Sequence, residues 1–227
     1  MKCEIKGGNF PVAICDLNQG EAVLCESGGM AWMNGGLKME TNTGGGLGKM
    51  LGRAFSGESL FMNRYVAESP GMIAIGAHAP GEIRKVEITP DKPIVVQKGS
   101  FLAMDESVDL SVFFQKKIGS GLFGGEGFIM NKLSGSGTAL LEIDGGVVEY
   151  DLAPGEKMTI DTGYLVMMDA SCSIDVVMVK GIGNMLFGGE GFFNTVVTGP
   201  GHIMLQTQPI TQFVSRIAAA LAAVKSK

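Results

Sequence analysis

Histidine is scarce in this chain: there are two, His78 and His202, among 227 residues. A Ser or Cys nucleophile needs a histidine base, and no G-x-S-x-G elbow is present to hold one. A metal site on an antiparallel β-barrel calls for two or three clustered histidines with a carboxylate, and two histidines 124 residues apart offer little toward that. Basic residues are also short. Net charge is −5, the isoelectric point is near 5.1, and Arg84-Lys85 and Lys116-Lys117 are the two adjacent basic pairs before the C-terminus, so the charge argues against a general nucleic-acid binder. The four cysteines, Cys3, Cys15, Cys25 and Cys172, have neither C-x-x-C spacing nor neighbouring histidines. That excludes a zinc cluster and a redox motif and fits a reducing cytoplasm. No apolar run approaches the ~20 residues of a membrane-spanning helix, and MKCEIKGGNF has no secretory apolar core.

Glycine is plentiful, with 35 residues against three tyrosines and one tryptophan, which points to short strands and tight turns. Fifteen methionines serve as core filler or as a soft contact surface. The most telling feature is a recurrence. The stretch GLFGGEGFIMNKLSGSGTALLEI, Gly121–Ile143, returns as MLFGGEGFFNTVVTGPGHIMLQT, Met185–Thr207, and a weaker copy runs from Arg53 to Gly76. Its glutamates, Glu58, Glu126 and Glu190, are 68 and 64 residues apart. Gly28, Gly99 and Gly163 each stand five residues before Met33, Met104 and Met168. Nine residues before each glycine comes a turn: Gln19-Gly20-Glu21, Pro90-Asp91-Lys92 and Pro154-Gly155-Glu156. Landmarks that hold their spacing over this distance define a triplicated module. The modules are expected at residues 1–81, 82–146 and 147–208.

Within them, short apolar runs alternate with turns. Examples are Ile94-Val95-Val96, Phe101–Met104, Val108–Phe114, Val147–Leu152, Lys157–Ile160, Leu165–Met168 and Cys172–Val179. No long amphipathic helix separates them, so the class is all-β with antiparallel sheets. TGGGLGK, Thr43–Lys49, lacks the first glycine and the final Ser or Thr of a phosphate loop and reads as a hinge before a short helical piece, Lys49–Ala54. Residues 209–227 are expected to form a helix, because Ile210, Phe213, Val214, Ile217, Leu221 and Val224 recur at helical spacing. It would cover a sheet edge or the end of the core, or dock on another subunit or a membrane surface.

The candidate functional residues are those of the recurring loops: Phe55, Gly57 and Glu58; Phe123, Gly125 and Glu126; Phe187, Gly189 and Glu190. Each glutamate either accepts hydrogen bonds from amides that the glycine turn leaves unpaired, or converges with the others about a pseudo-threefold axis, where a cation or shared protons would be needed. No catalytic residue, metal ligand or cofactor motif is identified.

The motifs GGGLG (Gly44–Gly48), SGESLFMNRY (Ser56–Tyr65) and the two LFGGEGF segments resemble the altered-inheritance-of-mitochondria, or mitochondrial biogenesis, family, and the resemblance spans nearly the whole chain. It implies three tandem β-sandwich modules, in pseudo-threefold arrangement, similar to the tryptophan RNA-binding attenuation protein. RNA binding does not carry over, because the basic residues it requires have no counterpart here. The functional expectation is a non-enzymatic scaffold or binding protein of the cytoplasm, with a homo-oligomer as the expected assembly. The alternatives are a peripheral membrane-organising protein, partnered by a membrane surface or another protein, and a metal-dependent β-barrel enzyme.

Overall fold

The three turns that open each recurring segment have the same geometry. The amides of Glu21, Lys92 and Glu156 each donate to the carbonyl three residues earlier, on Asn18, Thr89 and Ala153, at 3.0 Å. Gly20 and Gly155 take positive φ, 85° and 79°, which an L side chain adopts only with strain. The Glu21 and Glu156 carboxylates fold back onto the amides of Asn18 and Ala153 at 2.8 Å. These closures send the chain straight into the next antiparallel strand.

The structure, a computed structural model, describes residues 1–41, 62–116, 127–178 and 193–225. Among these residues the fold is all-β with one α-helix, at the C-terminal end. The strands are β1 Lys2–Lys6, β2 Val12–Leu17, β3 Ala22–Glu26, β4 Met30–Met33, β5 Leu37–Thr41, β6 Met62–Ala67, β7 Gly71–Gly76, β8 Gly81–Ile88, β9 Ile94–Gln97, β10 Phe101–Asp105, β11 Val108–Lys116, β12 Phe128–Gly135, β13 Gly137–Asp144, β14 Val147–Leu152, β15 Lys157–Asp161, β16 Leu165–Asp169, β17 Ser173–Met178, β18 Phe193–Thr198 and β19 Gly201–Gln206, followed by α1, Ile210–Lys225.

They form four antiparallel sheets. The first has the order β1-β2-β7-β4, the second β5-β6-β3-β10-β13-β8, the third β11-β12-β9-β16-β19-β14 and the fourth β15-β18-β17. Adding six to each strand number of the second sheet gives the third. Each six-stranded sheet is two three-stranded halves joined by one pairing, β3 with β10 and β9 with β16. Three apolar cores lie between successive sheets. Cys15, Ile73 and Ile75 of the first sheet meet Tyr65 and Leu102 of the second. Phe101 and Leu141 meet Leu133 and Val166 of the third. Val95, Phe128 and Met168 meet Ile160, Val176 and Val197 of the fourth.

The counterparts β4, β10 and β16 differ in surroundings. The latter two lie inside six-stranded sheets, so Phe101–Met104 and Leu165–Met168 are buried, whereas β4 is an edge and Trp32 and Met33 are exposed. In β11, Val108 and Leu110 point inward with Asp109 outward between them, the pattern of a strand with one wet face. The alternation fails at Val112, which is exposed together with Phe113 where the register with β12 shifts.

Two expectations change. Cys3 and Cys15 are direct partners across β1 and β2, with Cα atoms 4.0 Å apart, and form a disulfide, while Cys25 and Cys172 are free and buried. This pair runs against the reading of the cysteines as those of a reducing compartment. The helix is where its spacing places it, but it does not lie over the core: Phe213, Val214, Ile217, Leu221 and Val224 are all exposed. Among the described residues, no helix is long and apolar enough to cross a membrane.

Candidate functional site

The nine loop residues singled out from the sequence, Phe55, Gly57, Glu58, Phe123, Gly125, Glu126, Phe187, Gly189 and Glu190, lie outside the described residues, as do TGGGLGK and the helical piece after it. Much of the polar chemistry that is described sits between the first and second sheets and under the start of α1.

Glu142 is the one charged residue in the apolar run Thr138–Ile143 of β13 and is buried at 7% exposure. Its carboxylate accepts two hydrogen bonds from one residue. The His78 amide donates to Oε2 at 2.7 Å, and the His78 ring Nδ1 stands 3.0 Å from Oε1 and 3.2 Å from Oε2. His78 leaves the end of β7, so this contact ties the first sheet to the second. Glu26, the last residue of β3, completes the group: one donor atom from each of Glu26, His78 and Glu142 lies within 4.8 Å of the others.

Burial pushes the Glu26 carboxyl up to about 7, and the negative charge of Glu142 adds to this, while His78 and Lys98 pull it back. The hydrogen bond to Glu142 raises His78, with burial opposing and the surrounding carboxylates assisting. Beside them the Cys25 thiol is pushed up to about 12, by burial first and then by the charges of Glu26 and Glu142. Two carboxylates thus share a partly desolvated space with one imidazole. The arrangement can bind a proton or a cation, and it offers no serine or thiolate nucleophile.

The third sheet carries a neutral polar residue at the corresponding place. Gln206 of β19 stands where Glu142 stands on β13: its Oε1 accepts from the Asp144 amide at 2.9 Å and its Nε2 donates to the Gly163 carbonyl at 2.8 Å. Asp144 then accepts from the Ile210 amide at 2.7 Å, which caps α1 from 66 residues away. Burial raises the Asp144 carboxyl, and this hydrogen bond works against it. Gln212 holds the same first turn by donating to Asp161 at 3.0 Å and accepting from the Tyr164 hydroxyl at 3.1 Å. A cavity of about 240 Å³ lies beneath this turn, with Glu26, Gln97, Lys98, Asp144, Gln206 and Ile210 in its wall. The Gln97 Oε1 is buried and receives no hydrogen bond among the described residues.

The second histidine is built differently. His202 Nδ1 is 2.8 Å from Asp151, its partner across the β14–β19 pair, and Nε2 is 3.3 Å from Glu149. Each ring nitrogen faces its own carboxylate on an open surface, where ion pairs are worth little.

Sequence reasoning missed the His78 group because its carboxylates come from strands 52 and 64 residues away. Two signals were available: a lone charge, Glu142, inside an apolar strand, and Glu26 closing the apolar run Ala22–Cys25.

Fold and site together define an all-β protein of antiparallel sheets with a polar cluster between sheets. The chain belongs to the mitochondrial biogenesis AIM24 family, whose pattern it matches over residues 3–208. It is 31% identical over 217 residues to an uncharacterised protein of Streptococcus pyogenes serotype M6, a match that takes in 92% of this chain and 86% of the relative. The crystal structure of a Streptococcus pyogenes protein superposes with a TM-score of 0.79 at 28% identity, covering 96% of this chain and 99% of that one.

Proposed function

We propose that this protein is a non-enzymatic scaffold or binding protein that works as a homo-oligomer of a triplicated module, copies joining through α1. The observation that carries this is the uncovered face of the helix. Phe213, Val214, Ile217, Leu221 and Val224 are 45–73% exposed, on a helix held rigidly at its first turn by Asp144 and Gln212. An apolar stripe of this length on a soluble surface calls for a partner.

A second copy is the partner that the charges favour. The sequence ITQFVSRIAAALAAVK has one charge before its last residue, Arg216, and small alanines that let two helices approach closely. An anionic membrane would call for a basic polar face, which this helix lacks, and the chain is itself acidic at −5. The triplicated module is supported by the six-step offset between the strand orders of the two six-stranded sheets and by the three matching turns. The kinship with the attenuation-protein module belongs to the same proposal.

Sedimentation equilibrium on the full chain at micromolar concentration is expected to give a multiple of 23.8 kDa. The pair Phe213→Glu and Leu221→Glu should return it to a single-chain mass with an unchanged far-ultraviolet spectrum. A monomeric intact chain would overturn the assembly, and flotation of the chain with anionic vesicles would put a membrane surface in place of the second copy. A turnover lost in His78→Asn or Glu142→Gln would move the protein into the enzyme class.

A further inference from the structure

We propose that Glu26, His78 and Glu142 form a binding site for one divalent transition-metal ion, Zn²⁺ by preference, at the edge of the cavity beneath α1. The three donors come from three different strand regions and meet within 4.8 Å, two of them already 3.0 Å apart. Ligand atoms set at about 2.0–2.1 Å from Zn²⁺ in a tetrahedron stand roughly 3.4 Å from one another, so a small rotation of the Glu26 side chain closes the set.

The chemistry of the donors selects the ion. One imidazole with two carboxylates suits zinc and its first-row neighbours, whereas a site for Mg²⁺ or Ca²⁺ would be all oxygen. Three protein ligands leave a fourth position for water, and one of the three, Glu26, lines the same cavity as Gln97. Gln97 is 7% exposed, and its buried Oε1 is without a hydrogen-bond donor among the described residues, a cost that buried oxygens rarely carry. Water on the ion supplies donors to that space. Glu26 adds a second sign. No hydrogen bond to its carboxylate is made among the described residues, although it faces the Glu142 carboxylate, and a cation between the two removes their repulsion. Glu142 is itself oriented by the His78 amide, the kind of support that fixes a ligand before the ion arrives. The His202 group lacks this form, since its two carboxylates lie on opposite ring nitrogens.

The test is a calorimetric titration of the full chain, freed of metal by chelator, with ZnCl₂, and with MnCl₂ and MgCl₂ as comparisons. One Zn²⁺ per chain at a micromolar Kd is expected, with Mn²⁺ weaker and Mg²⁺ weakest. Glu26→Gln, a near-isosteric change that leaves the Glu142–His78 contact in place, should weaken Zn²⁺ at least tenfold, and His78→Asn should weaken it at least as much. Asp151→Asn, at the other histidine, should change nothing. X-ray absorption at the zinc edge should show one imidazole nitrogen among oxygen ligands. The proposal is overturned by an intact chain with no saturable Zn²⁺ binding, by Mg²⁺ binding as tightly as Zn²⁺, or by affinity that survives Glu26→Gln and falls in Asp151→Asn.

Discussion

Cys25 and Cys172 are both buried and both raised, Cys25 up to about 12 and Cys172 by burial with Asp169 adding to it. The thiolate is the reacting form, so neither should react in the native protein at pH 8. With Cys3 and Cys15 joined, Ellman's reagent under non-reducing conditions is expected to find no thiols in the native chain and two in denaturant. Four in denaturant would show the disulfide to be absent. The sign of the pH dependence follows. The folded state keeps the Cys25 proton while the unfolded chain releases it near the ordinary value of 9, so this residue's contribution to stability is whole below pH 9 and is lost as pH climbs toward 12. Glycine gives a second residue-scale prediction. A Cβ on Gly81 would lie 1.8 Å from the Ile143 carbonyl oxygen of the paired strand, so Gly81→Ala should cost roughly 3 kcal/mol in chemical denaturation. An unchanged midpoint would refute it. Some of this scale was legible: the Gly20 and Gly155 turns followed from residue type alone. Other parts were hidden. Asn34, Asp105 and Asp169 each follow a landmark methionine and accept from the amides of Met72, Thr138 and His202 at 2.7–2.9 Å, contacts across 33–38 residues that no local pattern marks.

At the scale of elements, α1 is fastened at one end only. Asp144 caps it, Gln212 bridges to Asp161 and Tyr164, and beyond this turn its apolar residues meet no core. Asp144→Ala removes an acceptor from the Ile210 amide and should cost about 1 kcal/mol, seen as a lower melting temperature and as reduced helical ellipticity at 222 nm. Identical spectra and melting would mean that the cap holds nothing. The helix itself was readable, because side chains at spacings of three, four and seven give a stripe whatever lies opposite. What lies opposite is a tertiary fact, and amphipathic spacing cannot tell a stripe against a core from one left open. Strands β9, β10 and β16 were readable for the reciprocal reason: each is a short, largely apolar run between turns.

For the whole molecule, the antiparallel β class was carried by turn spacing and the missing long helices. The cation cluster was not legible, since it exists only once β3, β7 and β13 are brought side by side. The way the sheets are shared has a consequence for where the covalent chain matters. Between the strands up to Gly76 and those from Gly81 onward, the described backbone crosses once, through 77–80. The structural bond there is the β3–β10 ladder, in which Ala103, Met104 and Asp105 face Cys25, Leu24 and Val23, backed by Ile83, Leu102 and Leu140 in the first core. Such a seam is an interface that happens to have its two partners tethered. Residues 1–79 and 80–227, produced together as separate polypeptides, are expected to find each other and purify as one particle, as the halves of a split reporter do. Fragments that stay apart, each soluble, would show that the peptide link at Ala79 does what the ladder is credited with here. Both adjoining cores draw side chains from each side of this seam, Ile83, Leu102 and Leu140 in the first and Leu24 and Met62 in the second, so a unit gained or exchanged there must bring matching apolar faces with it.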